Sequence, residues 1–334
     1  MEPVQLFLKS IRSQETKAVY KLAFQKYIDF VGDDLFCDNN PRLIESKIIE
    51  FILSLRDKGK SHGAIHNYFC AIKSFYKIND VVLNIHKISK FMPDQIRVKK
   101  DRSYTHEEIS KILEISDERM RVIVLLLASS GVRIGVIPFI RLHHLQDNKL
   151  IVYENSNEEY FTFITPECKK TIDFYFDMRS RYGEKLTDNS YLIREQFDIR
   201  DSFSIRNPKT IDRKTIQGKL RQLVIKCGLR KSIERRHEIM IAHGFRKFFT
   251  TQLVNSKVNP EIREMLLGHK IGLASAYYRP TEQEMLEEYQ KAVDNLTIDP
   301  ANRLQRKIET LTVEKSRLDR IEEKMLKMEQ MYQK

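Results

Sequence analysis

Apolar residues in this chain recur at three- and four-residue intervals almost from end to end, and the period falls to two only once, between Leu150 and Ile164. The longer period stacks side chains on one face of a helix, and the shorter one marks a strand. The fold class read from this is mostly α with one small antiparallel sheet. In the front of the chain, Tyr20, Phe24, Ile28 and Val31 make one helical face. Leu43, Ile48, Ile52 and Leu55 make a second after Pro41, and Ile65, Phe69, Ile72 and Tyr76 a third. Basic residues such as Lys21, Lys47, Lys58 and Lys73 fall between these faces. The result is a small helical unit with basic edges.

The period then lapses over Pro93–Arg102, which is polar and basic. It reads as a linker between domains. Its Arg97, Lys99, Lys100 and Arg102 either follow a phosphate backbone or stay solvated. Thr105-His-Glu-Glu108 has the residues of a capping box and starts a new helix. Arg119–Ser130 is apolar nearly all round and is expected in a core. Leu150–Tyr153 and Tyr160–Ile164 flank the turn-rich stretch Glu154–Glu158 and read as paired strands. The tail carries a stripe at Leu304, Ile308, Leu311, Leu318, Ile321, Met325, Met328 and Tyr332, with a skip near Glu314-Lys315. It is expected to be either a coiled-coil arm between copies or a helix laid on its own chain, with Asn302 as cap. The organisation is therefore a helical domain at 1–92, a basic linker at 93–104, a second domain at 105–298 and a helical tail at 299–334.

Composition narrows the partners. The 334 residues carry 58 Lys+Arg against 46 Asp+Glu, a net charge of +12. That excess favours a polyanion such as nucleic acid, though many basic proteins bind none. The longest strongly apolar run, Val122–Ala128, is far too short for a bilayer span. Met1-Glu-Pro-Val lacks an export pattern, so a cytoplasmic site of action is expected. Cys37, Cys70, Cys168 and Cys227 are too scattered for a zinc site or a disulfide scaffold, and they read as reduced, mostly buried thiols.

Three segments hold the chemistry. Ser129-Ser-Gly-Val-Arg-Ile-Gly135 places Arg133 just past the apolar helix, where its planar fork can grip two oxygens of one phosphate. His243-Gly-Phe-Arg246 puts His and Arg on one helical face. Phe245, Phe248 and Phe249 supply the buried face, and Lys247 is a further expected DNA contact. Leu266-Leu-Gly-His269 ends a helix at Gly268, and Tyr278 follows His269 by nine residues.

In this order, Arg133, the strand pair, His243 with Arg246, His269 and Tyr278 resemble the signature of the tyrosine recombinase, or phage-type integrase, family. Thr16-Lys-Ala-Val-Tyr20 and Ser74-Phe-Tyr76 look like that family's core-binding domain. Ser103-Tyr-Thr-His-Glu-Glu-Ile109, Tyr160-Phe-Thr-Phe-Ile-Thr-Pro-Glu167 and Tyr277-Tyr-Arg-Pro-Thr281 read like its archaeal integrases. The resemblance implies a SAM-like helical core-binding domain and an α-rich catalytic domain closing on duplex DNA as a C-shaped clamp, with a tetramer at synapsis. It implies that Arg133 and Arg246 clamp a phosphate. His243 and His269 would bond it or assist proton transfer, and Tyr278 would attack to form a 3′-phosphotyrosyl link. Tyr277 is the alternative nucleophile. No metal, ATP or other cofactor is implied, and no phosphate-cradling glycine loop or carboxylate cluster is visible.

Two departures from the family pattern stand out. The turn that should carry a catalytic lysine has Asn155 and Asn157, and Lys149 is the nearest substitute, ahead of Lys169, Lys170 and Lys214. Val136 replaces an acidic residue usual three positions after the first arginine. A recombinase-like DNA-binding protein without catalysis, and a type IB topoisomerase or telomere resolvase relative, are the competing readings.

Overall fold

The computed structural model describes residues 2–32, 40–95, 101–230, 237–270, 272 and 277–332, with backbone alone at 310, 323 and 326–332. The chain divides into two compact units, Met1–Val98 and Lys99–Lys334.

The first unit is helical: α1 (Pro3–Ser10), α2 (Gln14–Val31), α3 (Pro41–Asp57), α4 (His62–Ile78) and α5 (Ile85–Ser89). Their starts are written in the sequence. Ser13, Asn40 and Ser61 each accept a backbone N–H of the first turn through their side chains, which satisfies donors that a helix start otherwise leaves unmade. The expected faces meet in a core of Phe7, Phe24, Tyr27, Ile48, Phe51, Ile65, Ile72 and Phe75. One assignment changes: Leu43 is exposed, and Ile44 turns inward in its place.

The second unit begins with α6 (His106–Glu114) and α7 (Glu118–Ser130). Both halves of the Thr105–Glu108 capping box are made. The basic stretch is not all spacer, because Arg102 bridges to Ile239 and Tyr104 is buried in the core. Helix α7 is buried along nearly its whole length. A sheet follows, of β1 (Leu145–Gln146), β2 (Lys149–Val152) and β3 (Tyr160–Phe163). It is antiparallel in sequence order, with Lys149 opposite Phe163 and Val152 opposite Tyr160. The short β1 carries no apolar alternation, so the sequence pattern shows two strands and the structure three.

Helices return as α8 (Pro166–Arg181), α9 (Ser202–Arg206), α10 (Arg213–Lys226), α11 (His243–Asn255), α12 (Pro260–Leu266), α13 (Glu282–Gln290) and α14 (Val293–Leu296). Phe245, Phe248 and Phe249 of α11 are fully buried and pack with the α7 residues in one core. The tail is α15 (Pro300–Tyr332). Asp299, not Asn302, caps it by accepting the Ala301 N–H at 2.8 Å. Asn302 instead reaches Glu167 on α8. From Leu304 to Met325 the apolar stripe is exposed, so among the described residues this helix is not laid on its own unit. Of the cysteines, Cys168 is buried and its thiol is pushed up to about 12 by that burial. Cys70 and Cys227 are only half-buried, and Cys37 lies outside the described residues. No described helix is long and apolar enough to cross a membrane.

Candidate nucleic-acid interface and active site

Helix α7 ends at Gly131 in the left-handed conformation, φ 63°. A Cβ there would lie 2.3 Å from the Phe249 ring, so only glycine lets α7 close on α11. The closure sets the site. Arg246, on α11 and 7% exposed, donates through Nη1 to the Gly131 carbonyl at 2.7 Å. Two residues past that carbonyl stands Arg133, exposed at the head of a short 3-10 helix, Ile134–Phe139. Through Nη2, Arg246 also donates to the Leu267 carbonyl at 2.6 Å and to Nε2 of His269 at 2.8 Å. Burial lowers the pKa of Arg246 first, and the nearby Arg133 charge lowers it further. Two guanidinium groups thus press on each other where, among the described residues, neither has an ion pair.

Gly268 delivers His269. It has φ +66°, and a Cβ would strike the Tyr160 ring at 2.4 Å. The N–H groups of Gly268 and His269 bond back to Met265 and Glu264, a Schellman cap that ends α12. Tyr160 lies against this turn, its phenol raised by burial.

Arg133, His243 and Arg246 line a cleft of about 900 Å³. Its other wall is α10, which contributes Arg213, Lys214, Gln217 and Arg221, with Arg230 beyond. Among the described residues no carboxylate lines it. This basic wall was not among the residues the sequence singled out as a group. The i, i+4, i+8 spacing of Arg213, Gln217 and Arg221 was the available signal.

The remaining expected residues lie elsewhere or are otherwise engaged. The Lys149 ammonium pairs with Glu282 at the start of α13 and sits over the Phe161 ring at 4.9 Å. Tyr278 is 36% exposed and Tyr277 90%; neither lines the cleft. Slight burial and the carboxylates of Glu284, Glu261 and Glu288 raise the Tyr278 phenol above its ordinary value. Arg102 makes a two-pronged ion pair with Glu108, and Lys247 pairs with Asp101. Arg97, Lys99 and Lys100 lie outside the described residues.

One cluster could suggest a metal. His143 and His144 both point Nε2 at Glu154, each 3.3 Å from Oε2. The ring hydrogen bonds argue against three ligands. Nδ1 of His144 accepts the Arg141 N–H, so its Nε2 carries the proton in the neutral ring. Nδ1 of His143 faces the Asp188 carbonyl and must donate, leaving a lone pair on Nε2. Only His143 and Glu154 then offer electron pairs, too few for a typical zinc site.

Residues 102–284 match the model of the phage integrase family. The tyrosine recombinase XerD of Oceanobacillus iheyensis is 21% identical over 296 residues, 83% of this chain and 92% of that protein. Among solved structures, the Tn1549 transposon integrase in complex with circular intermediate DNA superposes with a TM-score of 0.59 at 20% identity, covering 86% of this chain and 99% of that one. A lambda integrase tetramer bound to a Holliday junction gives 0.56 at 15% identity, over 84% and 78%. At these identities the structural likeness establishes the fold.

Proposed function

The chain belongs to the phage integrase family of tyrosine recombinases, and we propose on that premise that it is a site-specific recombinase whose cleft holds one scissile phosphate of duplex DNA. The observation that carries the reading is the convergence of Arg133, His243 and Arg246 on a cleft that has no carboxylate among the described residues, with His269 bonded to Arg246. Phosphoryl transfer gathers negative charge on the non-bridging oxygens, and fixed guanidinium groups offset it at no cost of reorganisation. Arg133 brings the exposed fork. Arg246 is held by backbone carbonyls, with the Tyr160 phenol beside it.

Tyr278 is the nucleophile in this reading, and Tyr277 the alternative. Attack of its hydroxyl on phosphorus forms the phosphotyrosyl bond as the P–O5′ bond breaks, so the energy of the phosphodiester is stored for rejoining. Tyr278 comes to the phosphate only after leaving the carboxylates that now raise its pKa. Lys149 would likewise have to leave Glu282 to act as an acid. The α10 wall, with Arg213, Lys214 and Arg221, takes the flanking backbone. Arg97, Lys99, Lys100, Arg102 and Lys247 are proposed as further backbone contacts. The lambda integrase tetramer on a junction supports a tetramer at synapsis, and the exposed stripe of α15 supports contact between copies. The archaeal-like stretches favour an archaeal source and action in the cytoplasm.

The test is covalent capture. A library of nicked duplexes with randomised cores is incubated with the full chain, and adducts that survive denaturant are mapped. A 3′ adduct on Tyr278, lost in Tyr278→Phe, is expected. An adduct that persists in Tyr278→Phe rejects that nucleophile. DNA binding with no adduct in the wild type would favour the non-catalytic reading, to which the engaged Lys149 already lends support.

A further inference from the structure

Both ring nitrogens of His269 are occupied, and the partners fix where its proton lies. Nδ1 is 2.6 Å from Oε2 of Glu264. A carboxylate can only accept, so Nδ1 carries the hydrogen. Nε2 is then a bare lone pair, and it faces the Nη2 of Arg246 at 2.8 Å, the one kind of neighbour that can donate to it. The order Glu264, His269, Arg246 is thus a directed chain of hydrogen bonds ending at a guanidinium of the cleft.

The chain is built by the backbone. The Schellman cap of α12 bonds the His269 N–H to the Glu264 carbonyl at 2.9 Å, placing the two side chains together at a separation of five residues. The hydrogen bond from His269 holds the Glu264 carboxyl below the ordinary carboxylate range. Arg263 approaches the other oxygen of Glu264 through Nε at 3.4 Å. Glu264 is 34% exposed, and His269 41%.

We propose that Glu264 is a positioning residue of the site: it pins the His269 proton to Nδ1, so that Nε2 accepts the Arg246 Nη2–H and holds that guanidinium in the cleft. The inference rests on the reading of the cleft as a phosphate site. In the step, the Tyr278 oxygen–phosphorus bond forms and the P–O5′ bond breaks. The phenol proton passes to water, which returns one to the departing 5′ oxygen, and Arg246, so held, offsets the charge on the non-bridging oxygens.

Two measurements on the full chain test this. In protein labelled with ¹⁵N at histidine, with the signal assigned through His269→Gln, the wild type should show a protonated Nδ1 and an unprotonated Nε2. Glu264→Ala should average the two, and Glu264→Asp should restore the wild-type pattern. With a captured DNA site, Glu264→Ala should slow adduct formation roughly 10- to 100-fold, with gel-shift affinity unchanged. Glu264→Asp should recover most of the rate. In a His269→Ala background, Glu264→Ala should cost nothing more. An unchanged ¹⁵N pattern in Glu264→Ala, or an equal loss with and without His269, overturns the proposal. If the wild type forms no adduct, the recombinase reading fails while the ¹⁵N result still decides the role of Glu264.

Discussion

Arg179 and Arg194 are at most 1% exposed and share one carboxylate, Glu184, at 2.5 and 2.7 Å. Arg133 and Arg246, in the same unit, share none among the described residues. The first pair is closed apart from the buried Arg194 Nε–H, which has no partner among the described residues. Arg179 also donates to the Tyr191 and Leu192 carbonyls, and Arg194 to those of Ile205 and Ser204. Burial alone would push the Glu184 pKa up, but the bonds from the two arginines prevail and hold it down. The second pair has one member held by carbonyls and an imidazole, and the other in solvent. The same side chain serves as a structural tie in one place and as an unfilled anion site in the other. The difference is whether the protein supplies the counter-charge itself.

The comparison breaks most visibly at the closed pair. Arg179→Met leaves Glu184 buried with one partner, and removing one member of a buried ion group costs about 3–5 kcal/mol. Urea unfolding of the full chain should show that loss in the transition of the second unit. A change under about 1 kcal/mol would mean that the triad is not a tie. At the open pair the signs reverse. Arg133→Ala should move stability by no more than about 0.5 kcal/mol, as for an exposed residue. It should slow adduct formation by roughly 100- to 1,000-fold, the cost of one fixed donor to a developing oxyanion. Gel shifts should change much less. Equal losses in binding and adduct would make Arg133 a plain backbone contact.

The sequence displays one side of this contrast better than the other. Arg133, His243, Arg246 and His269 are marked by their order, and Arg133 and His269 also by the glycines that end the helices before them. The helical faces and the capping boxes are local patterns, so they are legible at short range. Glu264 is different. Its role depends on a helix cap that folds five residues back on themselves, and a lone glutamate in an amphipathic helix carries no signal of that. The α10 wall escaped for a related reason. Arg213 and Arg221 look like any solvated helix face until α11 is packed opposite them. Arg179, Glu184 and Arg194 are brought together by the chain between α8 and α9, which has no periodic pattern. Lys149 shows the limit from the other direction. Its place at a strand end was readable, but its ion pair with Glu282, 133 residues away, was not.

A smaller effect sharpens the comparison through pH. Glu184 has a folded-state pKa below its unfolded value. Its contribution to stability is therefore complete above the unfolded value, about 4.3, and is lost as pH falls through the lower folded one. Glu184→Gln removes the titration. The variant should be less stable than the wild type at pH 7, and the gap should narrow on going from pH 5 to pH 3. Among the described residues Arg133 pins no carboxylate, so Arg133→Ala should run parallel to the wild type over the same range. Urea melts at pH 7, 5 and 3 measure both. A Glu184→Gln gap that stays constant with pH would show that packing, not charge, holds the closed pair. A steeper acid loss in the wild type than in Arg133→Ala would mean that the open site has a carboxylate partner after all.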